Sequence, residues 1–436
     1  MNNIGLEVPS ILLPKAEYLP KWPVIACDQF TQDRDYWEKA KKITGNSPSA
    51  LNLIFPEVFL GDSGADKRIA GIHCAMKNYL EEGVFAQPRK GFIYVERDTP
   101  HQKKRRGLIA AIDLDQYEWL PEARPLIRCT EGTVPERLPP RMNIRRGAPL
   151  ELPHVLLLID DNTDSLLPAL GEKLKNTPPV YNIPLMMESG NVSGWLVDSQ
   201  DIIAFVYEKL DELHSRSANR YNSAERKPFL FAVGDGNHSL AAAKGIWDEI
   251  KAGLNDKEEI LSHPCRYALV EIENIYDPAI QFEPIHRVVF DIGYDGIISL
   301  LSKLPDFSCK PLNNEKELLK LCSELPENGG SRFGVIAEGR FALSETSAPG
   351  IATACLQPLL DEYAGKKPAL IDYIHDDEEV FRLVSERKKA AGIILPPVQK
   401  SGLFETVARL GPLPRKSFSM GHSAEKRFYL ECRSLG

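Results

Sequence analysis

The feature that most constrains this chain is the apolar run Phe229-Leu230-Phe231-Ala232-Val233, followed at once by Gly234-Asp235-Gly236-Asn237-His238-Ser239 and then by an alanine-rich stretch from Leu240 to about Ala252. Five consecutive apolar residues suit a strand buried on both faces. Alanine is the best helix former, so the segment predicts a strand, a tight glycine turn and a helix. A sheet that is covered on both faces needs helices against it, and this places the chain among mixed α/β to α+β proteins.

Other segments agree. Val155 to Ile159 is a second continuous apolar run, ending in Asp160-Asp161, and Phe92 to Val95 and Leu108 to Ile112 read as a pair of strands. Residues 66 to 82 and 198 to 215 carry apolar side chains at helical spacing. The chain has 436 residues, more than the ~250 to 300 at which a single core stops growing. Three regions are expected: 1–160, α+β with an arginine cluster; 161–290, carrying the glycine turn; and 291–436, a C-terminal α+β domain.

Composition excludes some functions. The net charge of −8 gives no global field for a polyanion, so nucleic acid is not an expected partner. Lys103-Lys104-Arg105-Arg106 reads as a solvated hairpin tip. No apolar run reaches the ~18 residues of a membrane span. The eight cysteines are scattered singly, as reduced thiols of a cytosolic protein. Cys27, beside Asp28, reads as a buried small hydrophobe rather than a reactive thiol.

The chemistry concentrates in three places. At the turn, backbone N–H groups and the positive end of a helix dipole can hold a phosphate or carboxylate, with Gly234, Gly236, Asn237 and Ser239 close to it. Asp235 can hold a metal ion on that anion, and His238 can donate to it or shuttle a proton. A plain βα turn capped by Ser239 is the structural alternative.

Second, Arg124 to Asp161 holds Arg124, Arg128, Arg137, Arg141, Arg145 and Arg146, with Glu131, Thr133, Glu151 and His154 among them. Arginine forks match phosphate oxygens, and ion pairs at a domain boundary are the other reading. Asp160 and Asp161 either bind metal or cap the following helix. Third, His286-Arg287 and Arg415-Lys416-Ser417 with His422 offer further anion donors, with Lys416 as a phosphate contact.

The stretches Trp22 to Gln29, Thr130 to Thr133, Asp235 to His238, Pro284 to Arg287 and Pro414 to Ser417 resemble the uncharacterised domain-of-unknown-function family 1015. The family's turn, usually Asp-Gly-His-His-Arg, is similar to that of free-serine kinases of the ParB/sulfiredoxin-like superfamily. Here Asn237 stands for the first histidine and Ser239 for the arginine. The resemblance implies a ParB/sulfiredoxin-like core elaborated by a further α+β region. It also implies phosphate or metal contacts at Asp235, Gly236 and His238, and Glu131 as general base.

The expected function is a small-molecule phosphotransferase or phosphatase acting on serine or phosphoserine. Mg²⁺ on Asp160, Asp161 and Asp235 and a nucleotide or other phosphate donor would serve as cofactors, and a homo-oligomer is compatible. No P-loop motif is present. The alternatives are a nucleotide-binding or nucleic-acid-associated ParB-like protein, and a metal-dependent hydrolase built on Asp160, Asp161, His238 and His286.

Overall fold

The computed structural model describes residues 4–101, 104–221, 224–324, 330–365, 367–421 and 423–436. Lys103 and His422 lie outside the described residues. The chain forms two compact units, residues 1–280 with 421–436, and residues 281–420. The boundary expected near 290 therefore falls ten residues earlier. The one at 160 falls inside a sheet, and the last sixteen residues return to the first unit.

The first unit is built on a ten-stranded mixed sheet. Its working elements are β1 (Phe92–Asp98), β2 (Arg105–Asp113), β3 (Ile127–Cys129), α1 (Leu138–Arg145), β4 (Leu156–Ile159), β5 (Phe231–Asp235), α2 (Asn237–Ala252) and β6 (Tyr267–Asn274). Across the sheet these strands run β1-β2-β6-β4-β5-β3, with Tyr181–Pro184 and Asn191–Val197 beyond β1 and Tyr117–Glu118 beyond β3.

Alternate residues feed two cores. Phe92, Tyr94, Leu108, Ala110 and Ile112 pack on one face with Val206, Leu210 and Trp247 of the covering helices. Ile93, Val95 and Ile109 pack on the other with Ile72, Met76, Trp22 and Tyr429. Burial on both faces is why these strands read as unbroken apolar runs.

Pairing direction positions the site. β5 runs parallel to β3, with Val233 opposite Cys129, so the loops leaving both strands emerge at the same edge. β5 runs antiparallel to β4, with Leu156 opposite Asp235. The carboxyl end of β4 thus points away from the glycine turn.

The second unit has an antiparallel six-stranded sheet in the order Ser308–Leu312, Arg340–Thr346, Ser331–Ala337, Ala390–Ile394, His286–Phe290, Ile371–Ile374. Helices Tyr294–Leu301 and Ala352–Ala364 pack on one face. Glu315–Cys322 and Asp377–Ser385 pack on the other.

The basic segment before β2 is not the solvated tip that its charge suggested. Lys104 is exposed, but Arg105 is buried at 8 % exposure. Its guanidinium lies 3.0 Å from Glu273 and donates to the Glu425 carbonyl. A strand that starts three residues before the apolar run carries its first arginine inside.

Candidate active site at the amino end of α2

The turn after β5 reverses tightly because Gly236 adopts φ +80°, and a Cβ there would press on Val155 at 3.1 Å. Helix α2 begins at Asn237 with no side-chain cap, so its first N–H groups and positive dipole end remain available to an anion. The Asn237 Oδ1 and, on the facing loop, the Thr133 Oγ1 are buried without a hydrogen-bond partner. Both are polar atoms placed where a ligand would satisfy them.

The two loops are joined by the Val134 N–H, which donates to His238 Nε2 at 3.2 Å. That bond leaves the ring proton on Nδ1. Burial, with Arg137 and Arg141 close by, pushes His238 down to about 4. His238 is thus neutral at pH 7 and can offer one N–H, but it is not the near-neutral proton shuttle expected from its type.

Both Asp235 carboxylate oxygens are engaged within the protein. One carboxylate oxygen accepts from the Gly236 N–H at 2.9 Å and the other lies 3.0 Å from the Lys426 ammonium. Burial would raise this carboxyl, and Lys426 more than reverses that, holding it below its ordinary value.

Asp160 and Asp161 do not join it. Four residues along β4 from the partner of Asp235 is ~13 Å at strand rise, and the intervening backbone is antiparallel. Asp160 pairs with Arg220 at 3.2 Å. Asp161 accepts from Thr163, from the N–H groups of Ser165 and Leu166, and from the Ser165 hydroxyl. These two carboxylates therefore close a loop and do not fit a Mg²⁺ site with Asp235. Among the described residues no group of three or more histidine, cysteine, aspartate or glutamate side chains converges as a metal site. That holds also for the set Asp160, Asp161, His238 and His286.

The arginine cluster divides. Arg141 pairs with Glu57, Arg145 with Glu151 at 2.6 Å and Arg146 with Glu249 at 2.9 Å. Arg124 lies 3.9 Å from Glu225, and Arg128 donates to the carbonyls of Pro125 and Pro228. Ion pairing within one unit is what most of these arginines do. Arg137 is exposed at the start of α1 and has no acidic partner among the described residues. Arg137 and Arg141 are the two near His238. Glu131 is half-buried on the same loop.

In the second unit, His286 Nδ1 accepts from the Leu395 N–H at 3.0 Å, and burial pushes the ring down to about 4. Arg287, 1 % exposed, donates to Gln357 at 2.9 Å and to the Lys416 carbonyl at 2.9 Å. These residues organise that unit's interior. Its larger cavity, about 310 Å³, contains none of the turn residues, and Arg332 and Arg409 on its wall pair with Glu345 and Glu405.

Beside the turn lies a cavity of about 140 Å³ lined by Ser239, His154, Tyr429, Cys27 and Arg141 among others. This is smaller than the ~300 to 1,000 Å³ that encloses a drug-sized ligand. Burial and the neighbouring Asp28 push the Cys27 thiol well up, so it is no thiolate.

Tyr429 and Lys426 arrive on the returning carboxyl-terminal segment, which buried arginines hold. Arg97 donates to the carbonyls of Ala424, Glu425 and Lys426. Arg427 pairs with Glu271 and Glu431. Lys426, Tyr429 and Glu57 carried no local sequence signal. His154 did, as the only histidine amid the arginines of that stretch.

The sequence profile of the family described as "Protein of unknown function (DUF1015)" matches residues 10–389. No curated protein matches the chain. Among solved structures, a conserved hypothetical protein from Pyrococcus furiosus is 13 % identical, with 75 % of this chain and 94 % of that one covered and a TM-score of 0.36. A free serine kinase in complex with AMP is 13 % identical, covering 78 % and 95 %, with a TM-score of 0.39. SbnI from Staphylococcus aureus is 8 % identical, covering 72 % and 82 %, with a TM-score of 0.35.

Proposed function

The chain belongs to the family described as a protein of unknown function (DUF1015), and from that premise we propose that it is a phosphotransferase or phosphatase acting on a small hydroxylated molecule, with serine and phosphoserine the first compounds to try. The observation that carries this reading is the Val134–His238 hydrogen bond. It brings the uncapped start of α2, the unpartnered Thr133 and Asn237 oxygens and the arginines of the 137–141 turn to one place.

In this reading the phosphoryl group sits on the first N–H groups of α2. Arg137 and Arg141 neutralise its oxygens, as guanidinium forks do. The His238 Nδ1–H adds a hydrogen bond, and Glu131 orients the acceptor hydroxyl. Catalysis comes from fixed dipoles and cations placed before the reaction. The cavity's size favours a small alcohol or amino acid over an enclosed nucleotide. The phosphate donor, a nucleotide included, therefore has most of its bulk outside the cavity.

Phosphorus NMR tests the reading. Serine would be offered with ATP, ADP or pyrophosphate, and phosphoserine with and without ADP, each with Mg²⁺. A phosphoserine signal should form or vanish with the protein and not with Arg137→Ala. Unchanged spectra throughout would sink the serine assignment.

A further inference from the structure

The βα turn carries a hydroxyl that the phosphoryl reading leaves without a role. The Ser239 Oγ lies 2.8 Å from His154 Nε2, a residue 85 positions away in sequence. The other nitrogen of that ring, Nδ1, lies 3.0 Å from the Tyr429 hydroxyl. The Tyr429 oxygen also accepts the Cys27 N–H at 3.2 Å. Asp28 approaches His154 Nε2 at 4.0 Å.

We propose that Ser239 is a covalent nucleophile, with His154 as its base and Tyr429 as the residue that orients the base. A nucleophile within hydrogen-bond reach of a base that a third group holds is the arrangement an activated hydroxyl requires. Three features separate it from an ordinary buried serine. The pair opens onto the 140 Å³ cavity rather than onto packed side chains. Ser239 stands in the first turn of a sixteen-residue helix without a side-chain cap, where the dipole stabilises an alkoxide. Arg141, paired with Glu57, lines the same cavity and supplies a cation beside the pair.

The step uses the tautomer in which His154 donates through Nδ1 to the Tyr429 oxygen, which also accepts from the Cys27 N–H, and in which Nε2 accepts from Ser239. With a phosphomonoester, Oγ attacks phosphorus as its proton passes to Nε2. The bond from phosphorus to the ester oxygen breaks, and the leaving alkoxide takes the proton from His154. In the second half, water or an acceptor alcohol attacks the phosphoserine, its proton goes to Nε2, and the departing Ser239 oxygen recovers it. The identity of the transferred group rests on the phosphoryl reading; the nucleophile does not.

The test uses a fluorophosphonate, which reacts with activated serines whatever their natural substrate, on the full chain, with the adduct located by peptide mass mapping. The expected result is one adduct, on Ser239 of the unsubstituted protein, formed at least ~100-fold more slowly in His154→Gln, the lower end of general-base effects. Tyr429→Phe should slow it less while keeping the adduct on Ser239. The absence of an adduct on Ser239, or an undiminished rate in His154→Gln, would overturn the proposal.

Parallel phosphoester assays separate the two readings. An adduct on Ser239 with no phosphoester turned over removes the phosphoryl assignment and supports the nucleophile. Phosphoester turnover unchanged in Ser239→Ala removes the nucleophile and leaves the phosphoryl assignment standing.

Discussion

Replacing Lys426 by methionine removes the ammonium that faces Asp235 and keeps the side chain's length. The pair is 3.0 Å apart, with side-chain exposures of 10 % for the lysine and 23 % for the aspartate, so solvent screens it only in part. Breaking a buried pair by removing one partner costs ~3 to 5 kcal/mol, and the residual exposure places this case near ~3 kcal/mol at pH 7.5.

The cost should depend on pH in a defined direction. In the unsubstituted protein the Asp235 carboxyl is held below its ordinary value because Lys426 outweighs burial. Its contribution is therefore present above the unfolded pKa and lost only as pH falls through the lower folded one. In Lys426→Met, burial is opposed only by the lesser influences of His154 and the Gly236 N–H, and the folded pKa should rise above the unfolded one. That variant is most stable when Asp235 is protonated, and it loses stability as pH rises through its folded pKa.

The two stability curves should then diverge from about pH 4 upward, by ~1.4 kcal/mol for each pH unit separating the two folded pKa values. Urea unfolding followed by tryptophan fluorescence at pH 4.5, 6 and 7.5 measures this. Lys426→Met with Asp235→Asn should recover most of the loss, because no unpaired charge remains. A penalty that is equal at all three pH values, or is not relieved in the double variant, would refute the reasoning.

Three further outcomes are expected. His238, pushed down to about 4 by burial and the nearby Arg137 and Arg141, stabilises the fold fully above its unfolded value near 6.5, and up to ~3 kcal/mol of that is lost as pH falls through 4; acid unfolding of His238→Gln should be flatter over that window. Gly236→Ala forces a Cβ at φ +80° to within 3.1 Å of Val155, so ~2 to 4 kcal/mol of stability should be lost through left-handed strain and contact, read by thermal melting. Asp161→Ala removes the acceptor that closes residues 163–166 and should lower stability by ~2 to 4 kcal/mol. Calorimetry with Mg²⁺ should give the same result before and after that substitution; a lost binding event would restore the metal role for this carboxylate.

The elements of the first sheet were readable because burial on both faces removes polar residues from a strand. The runs at 92–95, 108–112, 155–159 and 229–233 fall on β1, β2, β4 and β5. The glycine turn was readable because only a residue without Cβ fits φ +80° against Val155. Strand direction was not readable. An apolar run looks the same whether its neighbour is parallel or antiparallel, so Asp160 and Asp161 looked like companions of Asp235 until the pairing of Leu156 with Asp235 set them at the other end. Nor does an arginine's type reveal its partner: Arg145 and Arg146 face Glu151 and Glu249, the second of which is 103 positions away.

Alone, then, the sequence determined a mixed α/β chain of more than one unit, the strand, turn and helix with its open amino end, and the presence of Asp235, His238 and Ser239 there. These follow from local chemistry, from apolar periodicity, glycine's freedom and helix polarity, which neighbours a few residues apart are enough to fix. What stands against the turn was decided by the tertiary structure: Val134 on His238, His154 on Ser239, and Lys426 and Tyr429 carried in by the last sixteen residues. Those contacts span 85 to 275 positions. They exist because strand order and direction bring distant loops to one edge of a sheet, which no pattern within any one segment encodes.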